Sequence, residues 1–401
     1  MVKPVGAACN LRCDYCYYLE KKHLYHTGND GKCRMSDELL EEFTCQYLAA
    51  QTQQQVLFTW HGGEPLLMPI GFYRKALKLQ QQYGRGRQID NCIQTNGTLL
   101  TDEWCSFFRK NRFLVGISID GTDDMHSAFR HYRSGRSSYG SVLAGIDLLN
   151  RYQVDWNAMA TVNSRNVDRP LEFYRFFRSL GCRFLQFSPV VERLHRHTDG
   201  RQLATPEDGA EVSEMAPFSV NAEAYGRFLC ELFDEWVRHD VGTVYVQLFD
   251  STLARWMGVD PGLCCMSPTC GHAAVMEHDG EVYSCDHFVF PAYRLGNIRT
   301  ATLSEMMYSD RQMDFGRAKS GCLPRQCREC RYLFACNGGC PKDRFIDTGE
   351  PYRANYLCAA YRRFFSHVAP YMDFMRNELL CQRPPANVMN VADRIAARQD
   401  G

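Results

Sequence analysis

Three cysteines within one short stretch near the start, CNLRCDYC, constrain the chain more than any other feature. Cys9, Cys13 and Cys16 stand in a C-x3-C-x2-C array and must converge if they share a ligand. Thiolates bind soft metals, and a tight loop of three can hold three corners of an iron-sulfur cube, leaving the fourth iron without a protein ligand. An open iron is a place for chemistry. The alternative is a structural zinc knuckle, although zinc sites of that kind close with four ligands in paired spacings and no fourth stands nearby.

The 401 residues suffice for one large domain and a smaller one. Lys plus Arg (46) equals Asp plus Glu (46), so no global field draws nucleic acid or an anionic membrane. No apolar run approaches the ~20 residues of a membrane span, and MVKPVGAACN has no secretory h-region, so a cytoplasmic location is expected. Reducing conditions there argue against a disulfide framework for the twenty cysteines, and their clustering argues for metal.

Up to about residue 192, short apolar runs alternate with helical patterns, the form of repeated βα units around a parallel sheet. Six strands are expected: VKPVGA (2–7), QVLFTWHG (55–62), IDNCIQTNG (89–97), FLVGISIDG (113–121), DWNAMATVN (155–163) and FLQFSPVV (184–191). Helices are expected to open at Ser36, with Asp37 and Glu38 in the first turn and Leu39, Leu40, Phe43 and Tyr47 on one face, and at Thr101. Others run from about Ser141 to Tyr152 and from Pro170 to Leu180, with Gly181 as the stop. This predicts an α/β chain with a partial (β/α)6 TIM-like barrel, whose active site forms at the strands' C-terminal ends. Polar residues do gather there: His61 to Pro65, then Gln94, Asn96 and Gly97, then Ser118, Asp120 and Gly121, then Gln186 and Ser188. Gly62 and Gly63 permit close approach of backbone, because neither carries a Cβ.

Residues 193–219 read as a polar surface insertion, with His195, Arg196 and His197 on a solvated face. A helix from Ala222 to His239 follows, then VYVQLFD and a linking helix through Trp256. The aromatic stripe of YRRFFSHVAPYMDFMRNELL reads as core packing, and VADRIAARQDG as a solvated tail.

Cysteines return after residue 260 as Cys264, Cys265, Cys270, Cys285 and Cys322, then Cys327, Cys330, Cys336, Cys340 and Cys358. The C-x2-C-x5-C-x3-C core is dense enough to indicate metal, whether iron-sulfur or two zinc ribbons. Gly280, Gly338 and Gly339 allow the tight turns of metal loops.

With Tyr15 just before the third cysteine, CNLRCDYC resembles the signature of the radical S-adenosylmethionine (SAM) superfamily, and the glycine turn of HGGEP resembles the segment that holds the methionyl amino group. The later cysteines resemble the SPASM extension, which houses two auxiliary 4Fe-4S clusters. CNLRCDYCYY, WHGGEP, QTNGTLL, GISIDG, LQFSP, GEVYSCDHFVFP, RLGNI and CRECRYLFACNGGCPKDR together resemble the anaerobic sulfatase-maturating enzymes, in that family's order and over nearly the whole chain. The resemblance implies a radical SAM barrel over 1–225, a linking segment over 226–260, a SPASM domain over 261–380 and a tail over 381–401.

It also implies oxidation of a Cys or Ser, within Cys/Ser-x-Pro-x-Arg of a nascent sulfatase, to Cα-formylglycine, by a 5'-deoxyadenosyl radical that takes hydrogen from Cβ. The cofactors implied are SAM and three 4Fe-4S clusters. Cys9, Cys13 and Cys16 would hold the first, Cys264, Cys270, Cys285 and Cys340 the second, and Cys327, Cys330, Cys336 and Cys358 the third. Cys265 competes with Cys264, and the nine unassigned cysteines read as core thiols. Asp286 matches the family's base, its other reading being a carboxylate that hydrogen-bonds backbone. Tyr15, Gly63, Ser118, Arg130 and Val191 would line the SAM site, with Arg133 and Arg136 as rivals of Arg130, and Tyr18 would lie near the substrate. His61 stands where some members carry Gln. The implied partners are an unfolded sulfatase polypeptide and a reduced flavodoxin- or ferredoxin-type electron donor. Two other readings compete: a SPASM peptide maturase forming thioether or carbon-carbon crosslinks, and a zinc-stabilised interaction protein.

Overall fold

The computed structural model describes residues 1–24, 33–196, 202–208 and 212–398, so His197 and the last three residues lie outside the described residues. The chain forms a parallel sheet of six strands. Five are β1 (Gln55–Trp60), β2 (Gln88–Thr95), β3 (Leu114–Ser118), β4 (Trp156–Val162) and β5 (Phe184–Pro189), adjacent in chain order, and the sixth is the short strand Tyr245–Val246 beside β5. The residues 2–7 do not form a strand. Pro4 has no N–H to give a ladder, and the chain turns twice through Gly6 N–H to Lys3 and Ala8 N–H to Val5 (both 3.0 Å), leaving Val2 alone to bridge Trp60 and Met276.

Side-chain caps set the starts of two of the early helices. α1 (Asp37–Ala50) has Ser36 Oγ accepting from Leu39 N–H, α2 spans Ile70–Tyr83, and α3 (Asp102–Lys110) has Thr101 accepting from Trp104 N–H. Tyr139–Arg151, Pro170–Ser179, Ala222–His239, Gln247–Trp256 and Cys358–Leu380 match the remaining expectations within a few residues. Gly181, at φ +71°, follows the end of the Pro170–Ser179 helix.

Two compact units emerge. The first comprises Met1–Ile119, Phe129–Asn157 and Gly271–Arg317. Its core holds Val56, Phe58 and Trp60 of β1, Ile93 of β2, and Val115 and Ile117 of β3, all essentially inaccessible. An antiparallel sheet of Val275–Met276, Glu281–Tyr283 and Arg294–Asn297 joins this unit to the N-terminus through Lys3 N–H to Met276 O and Met276 N–H to Met1 O. The second unit comprises Asp120–Ala128, Ala158–Cys270 and Ala318–Gly401, and is built on interlocked aromatics including Phe173, Phe228, Phe233, Phe249 and Phe364.

Three further expectations change. The 193–219 stretch contains a hairpin, Arg193–His195 with Ser213–Met215, in which Arg193 is buried on the carbonyls of Asp208 and Thr205, while His195 is half-buried beside Asp208 and Arg196 is exposed. The tail folds into a short helix, Ala392–Ala397, with Ala392 buried. Of the nine unassigned cysteines only Cys105, Cys182 and Cys230 are buried, whereas Cys45, Cys322 and Cys381 are exposed and cannot be core thiols; none of the twenty forms a disulfide.

Candidate active site and metal loops

The lead-in to the first cysteine runs along the turn that follows β1. His61 N–H donates to Val2 O, Gly63 N–H to Gly6 O (2.8 Å) and Glu64 N–H to Ala8 O (2.9 Å). A Cβ on Gly63 would run into the Ala8 carbonyl, which explains why a glycine stands there. Glu64 is wholly buried, and its carboxylate accepts from Thr95 Oγ1 (2.7 Å), Asn96 N–H (2.8 Å) and Leu66 N–H (3.0 Å). Burial nevertheless pushes its pKa up, to about 7. Asn96, at the end of β2, passes this network on: its Nδ2 donates to Asn10 Oδ1 at 2.8 Å and reaches Cys9 Sγ at 3.8 Å, and Leu11 N–H points at the same sulfur at 3.4 Å.

The strand-end glycine, glutamate and asparagine thus fix the cysteine loop, whose Cys13 and Cys16 are joined by a turn bond of 3.2 Å. Burial, then Glu64, pushes the Cys9 thiol up to about 12. A thiolate there needs a metal's positive charge to form, which suits a cluster ligand.

Of the residues expected around SAM, Tyr15, Gly63, Ser118 and Arg130 belong to the first unit and Val191 to the second. Arg130 is buried and lies over the Tyr15 ring at 5.5 Å, with Phe129 edge-on to the same ring. Its rivals differ: Arg133 donates to Cys9 O at 3.3 Å and Arg136 covers Tyr132. Ser118 Oγ accepts from Gln94 Nε2 at 3.0 Å. Val191 is buried, and its carbonyl accepts from Lys342 Nζ at 2.5 Å.

Asp286 opens a short turn directly after Cys285. Its carboxylate is ion-paired to the buried ammonium of Lys3 and accepts from Tyr17 Oη at 2.5 Å. Burial pushes its pKa up, but Lys3, His61 and His287 outweigh that and hold it well below the carboxylate range, so the group is ionised. Desolvation, then Lys3, lowers His61 to about 4; its Nδ1 accepts from Gly62 N–H at 2.7 Å, which leaves the proton of the neutral ring on Nε2. Tyr18 covers Lys3 with its ring and donates to the buried Glu277, whose pKa burial raises to about 8. Tyr18 also packs with Ala7, Val275, Tyr283 and Val289, against Cys16 and Tyr17. Sequence reasoning missed Lys3, Tyr17 and Glu277. A lysine within an apolar run and the Tyr-Tyr pair after Cys16 were the only signals, and neither names its partner.

In the second unit, Cys327, Cys330, Cys336 and Cys358 act on one another electrostatically, and burial pushes Cys336 up to about 12. Cys264, Cys270 and Cys340 lie in this unit as well, and all three act on Lys319, whereas Cys285 belongs to the first unit. Cys264 acts on both Cys270 and Cys265, and Cys265 is the more buried thiol of the adjacent pair and lies near Cys336. Among the described residues, no three Cys, His, Asp or Glu side chains close on a single metal ion.

The family model described as the Radical SAM superfamily matches residues 4–177, and one described as an iron-sulfur cluster-binding domain, SPASM, matches 264–331. The second match sets the zinc readings aside. A serine-type anaerobic sulfatase-maturating enzyme of Bacteroides thetaiotaomicron is 59% identical over 391 residues, covering 97% of this chain and 94% of the relative. The chain belongs to the anaerobic sulfatase-maturating enzymes. A cysteine-type member from Clostridium novyi is 32% identical, covering 91% of this chain and 93% of its own. The structure of the maturating enzyme anSMEcpe with AdoMet and the Cp18Cys peptide superimposes with a TM-score of 0.82 at 29% identity, covering 94% of this chain and 98% of that one. None of the described helices is long and apolar enough to cross a membrane.

Proposed function

We infer that this chain oxidises a serine or cysteine side chain of a sulfatase polypeptide to Cα-formylglycine. The observation that carries the reading is the ionised, half-buried Asp286, held by Lys3 and Tyr17 in the unit that also carries the Cys9–Cys16 loop. When bound, SAM and the iron-sulfur groups supply a 5'-deoxyadenosyl radical that removes one hydrogen atom from the substrate Cβ, and a one-electron acceptor for the oxidation that follows.

The protein's own task is to place the substrate and take its proton. We assign Cys9, Cys13 and Cys16 to the SAM-binding cluster, and Cys264, Cys270, Cys285 and Cys340 to one auxiliary cluster. Cys327, Cys330, Cys336 and Cys358 are assigned to the other. Tyr15, Gly63, Ser118, Arg130 and Val191 are assigned to SAM, the buried Arg130 guanidinium suiting its carboxylate. Asp286 is assigned as the base that accepts the substrate's O–H or S–H proton. Loss of a Cβ hydrogen acidifies that O–H or S–H, which eases its transfer to a carboxylate; the pairing with Lys3 keeps Asp286 ionised and open to a proton, at some cost in basicity. Tyr17 orients the carboxylate, and Tyr18 is assigned to the surroundings of the substrate.

The relative at 59% identity is serine-type, so a serine peptide is the first substrate to try. A flavodoxin- or ferredoxin-type protein is proposed as reductant. The test is to incubate reconstituted, reduced enzyme with SAM and peptides containing Ser-x-Pro-x-Arg or Cys-x-Pro-x-Arg. Mass spectrometry should show a loss of about 2 units from the serine peptide and about 18 from the cysteine peptide. No mass change in either, with SAM cleavage intact, refutes the reading.

A further inference from the structure

Two cations, Lys319 buried and Arg344 half-buried, stand among the thiols assigned to the auxiliary clusters, and the chemistry at the substrate uses neither. Lys319 is 1% exposed, and its Nζ donates to the carbonyls of Cys264 (2.6 Å) and Cys265 (3.0 Å). Arg344 donates through Nε to Gly338 O (3.0 Å), through Nη1 to Lys319 O (2.7 Å) and through Nη2 to Asn337 O (3.1 Å). Longer contacts reach Gly339 O and Cys322 O, both at 3.5 Å. Asn337, Gly338 and Gly339 are the three residues between Cys336 and Cys340, which are assigned to different clusters. All three adopt left-handed backbone, with φ of 47°, 73° and 65°, and their carbonyls turn toward the guanidinium. A Cβ on Gly338 would come within 2.7 Å of Arg344 Nη2 and displace the guanidinium, and the φ of +73° there favours glycine.

A buried cation whose hydrogen bonds all end on neutral carbonyls is costly unless negative charge lies close by. Four thiolates on a 4Fe-4S core give a net negative group, and it becomes more negative on reduction. Arg344 holds the carbonyls of all three residues that link Cys336 to Cys340, one ligand from each set.

We propose that Lys319 and Arg344 are positioning residues that raise the reduction potentials of the auxiliary clusters, Lys319 acting on the one held by Cys264, Cys270, Cys285 and Cys340, and Arg344 on both. A fixed positive charge stabilises the reduced form more than the oxidised form, because the reduced form carries one more negative charge. The inference rests on the ligand assignment above.

The test uses the full chain with Cys9, Cys13 and Cys16 changed to Ala, so that only auxiliary clusters report. Iron is counted, and the midpoint potentials are measured by an EPR-monitored redox titration. Lys319→Met should lower one midpoint by at least tenfold in the reduction equilibrium, about 59 mV for one electron, and Arg344→Met should lower both. Lys319→Arg and Arg344→Lys, which keep the charge, should restore most of the shift. Fully loaded Met variants with parental potentials overturn the proposal, as do charge-keeping variants displaced as far as the Met variants. Should a Met variant fail to load, the Gln variant at the same position is judged by the same criterion. A parent of this background that binds no iron overturns the ligand assignment instead, and the proposal with it.

Discussion

Gly63→Ala tests how the cysteine loop is held. The added Cβ would lie 2.5 Å from the Ala8 carbonyl carbon and 2.8 Å from that of Ala7. Ordinary carbon contacts begin at about 3.5 Å, so residues 7–8 must retreat by roughly 1 Å. That retreat breaks the bonds from Gly63 N–H to Gly6 O and from Glu64 N–H to Ala8 O. Overpacking costs about 1–3 kcal/mol and two lost backbone bonds about 1 kcal/mol each, giving a destabilisation of about 3–5 kcal/mol. Cys9 follows directly after the displaced residue, so iron occupancy at the N-terminal site should fall as well. Anaerobic urea denaturation followed by circular dichroism, with iron counted per chain, reads both effects. Gly71→Ala is the control: it lies in α2 with nothing within 4 Å of the added Cβ, and should stabilise by about 0.5–1 kcal/mol. A Gly63→Ala variant within about 1 kcal/mol of the parent and with parental iron would refute this reasoning.

Cys13→Ala should abolish SAM cleavage, measured as 5'-deoxyadenosine; cleavage at the parental rate contradicts the assignment. Asp286→Asn should leave SAM cleavage in place and slow formylglycine formation by about 10²-fold or more, and product at the parental rate would remove Asp286 as base. His61 titrates at about 4 when folded and 6.5 when unfolded. Between those values only the unfolded chain takes the proton, so stability is lost as pH falls through the window, by up to about 3 kcal/mol. His61→Gln should flatten that acid-side slope in urea midpoints measured beside the parent, and an unchanged slope would show that His61 does not carry it.

What could be read from the sequence was local. Ser36 and Thr101 cap their helices as serine and threonine do, and the polar clusters after β1 and β2 reappear as one network through Glu64, Asn96 and Cys9. What escaped was long-range or single-residue. Lys3 meets Asp286 across 283 positions, and no local pattern announces such a pair. Periodicity promised a strand at residues 2–7, where Pro4 removes a donor and Gly6 turns the chain. The sixth strand of the sheet is instead the two residues Tyr245–Val246, too short for any period to register. The final segment looked solvated because it is charged, yet Ala392 packs its short helix onto the second unit.

The proposed reaction turns on a hydrogen atom leaving the substrate Cβ for the adenosyl group. A Ser-x-Pro-x-Arg peptide deuterated at the serine Cβ, incubated with reduced enzyme and SAM, should yield 5'-deoxyadenosine carrying deuterium together with the aldehyde peptide. Aldehyde formed alongside unlabelled 5'-deoxyadenosine would contradict it.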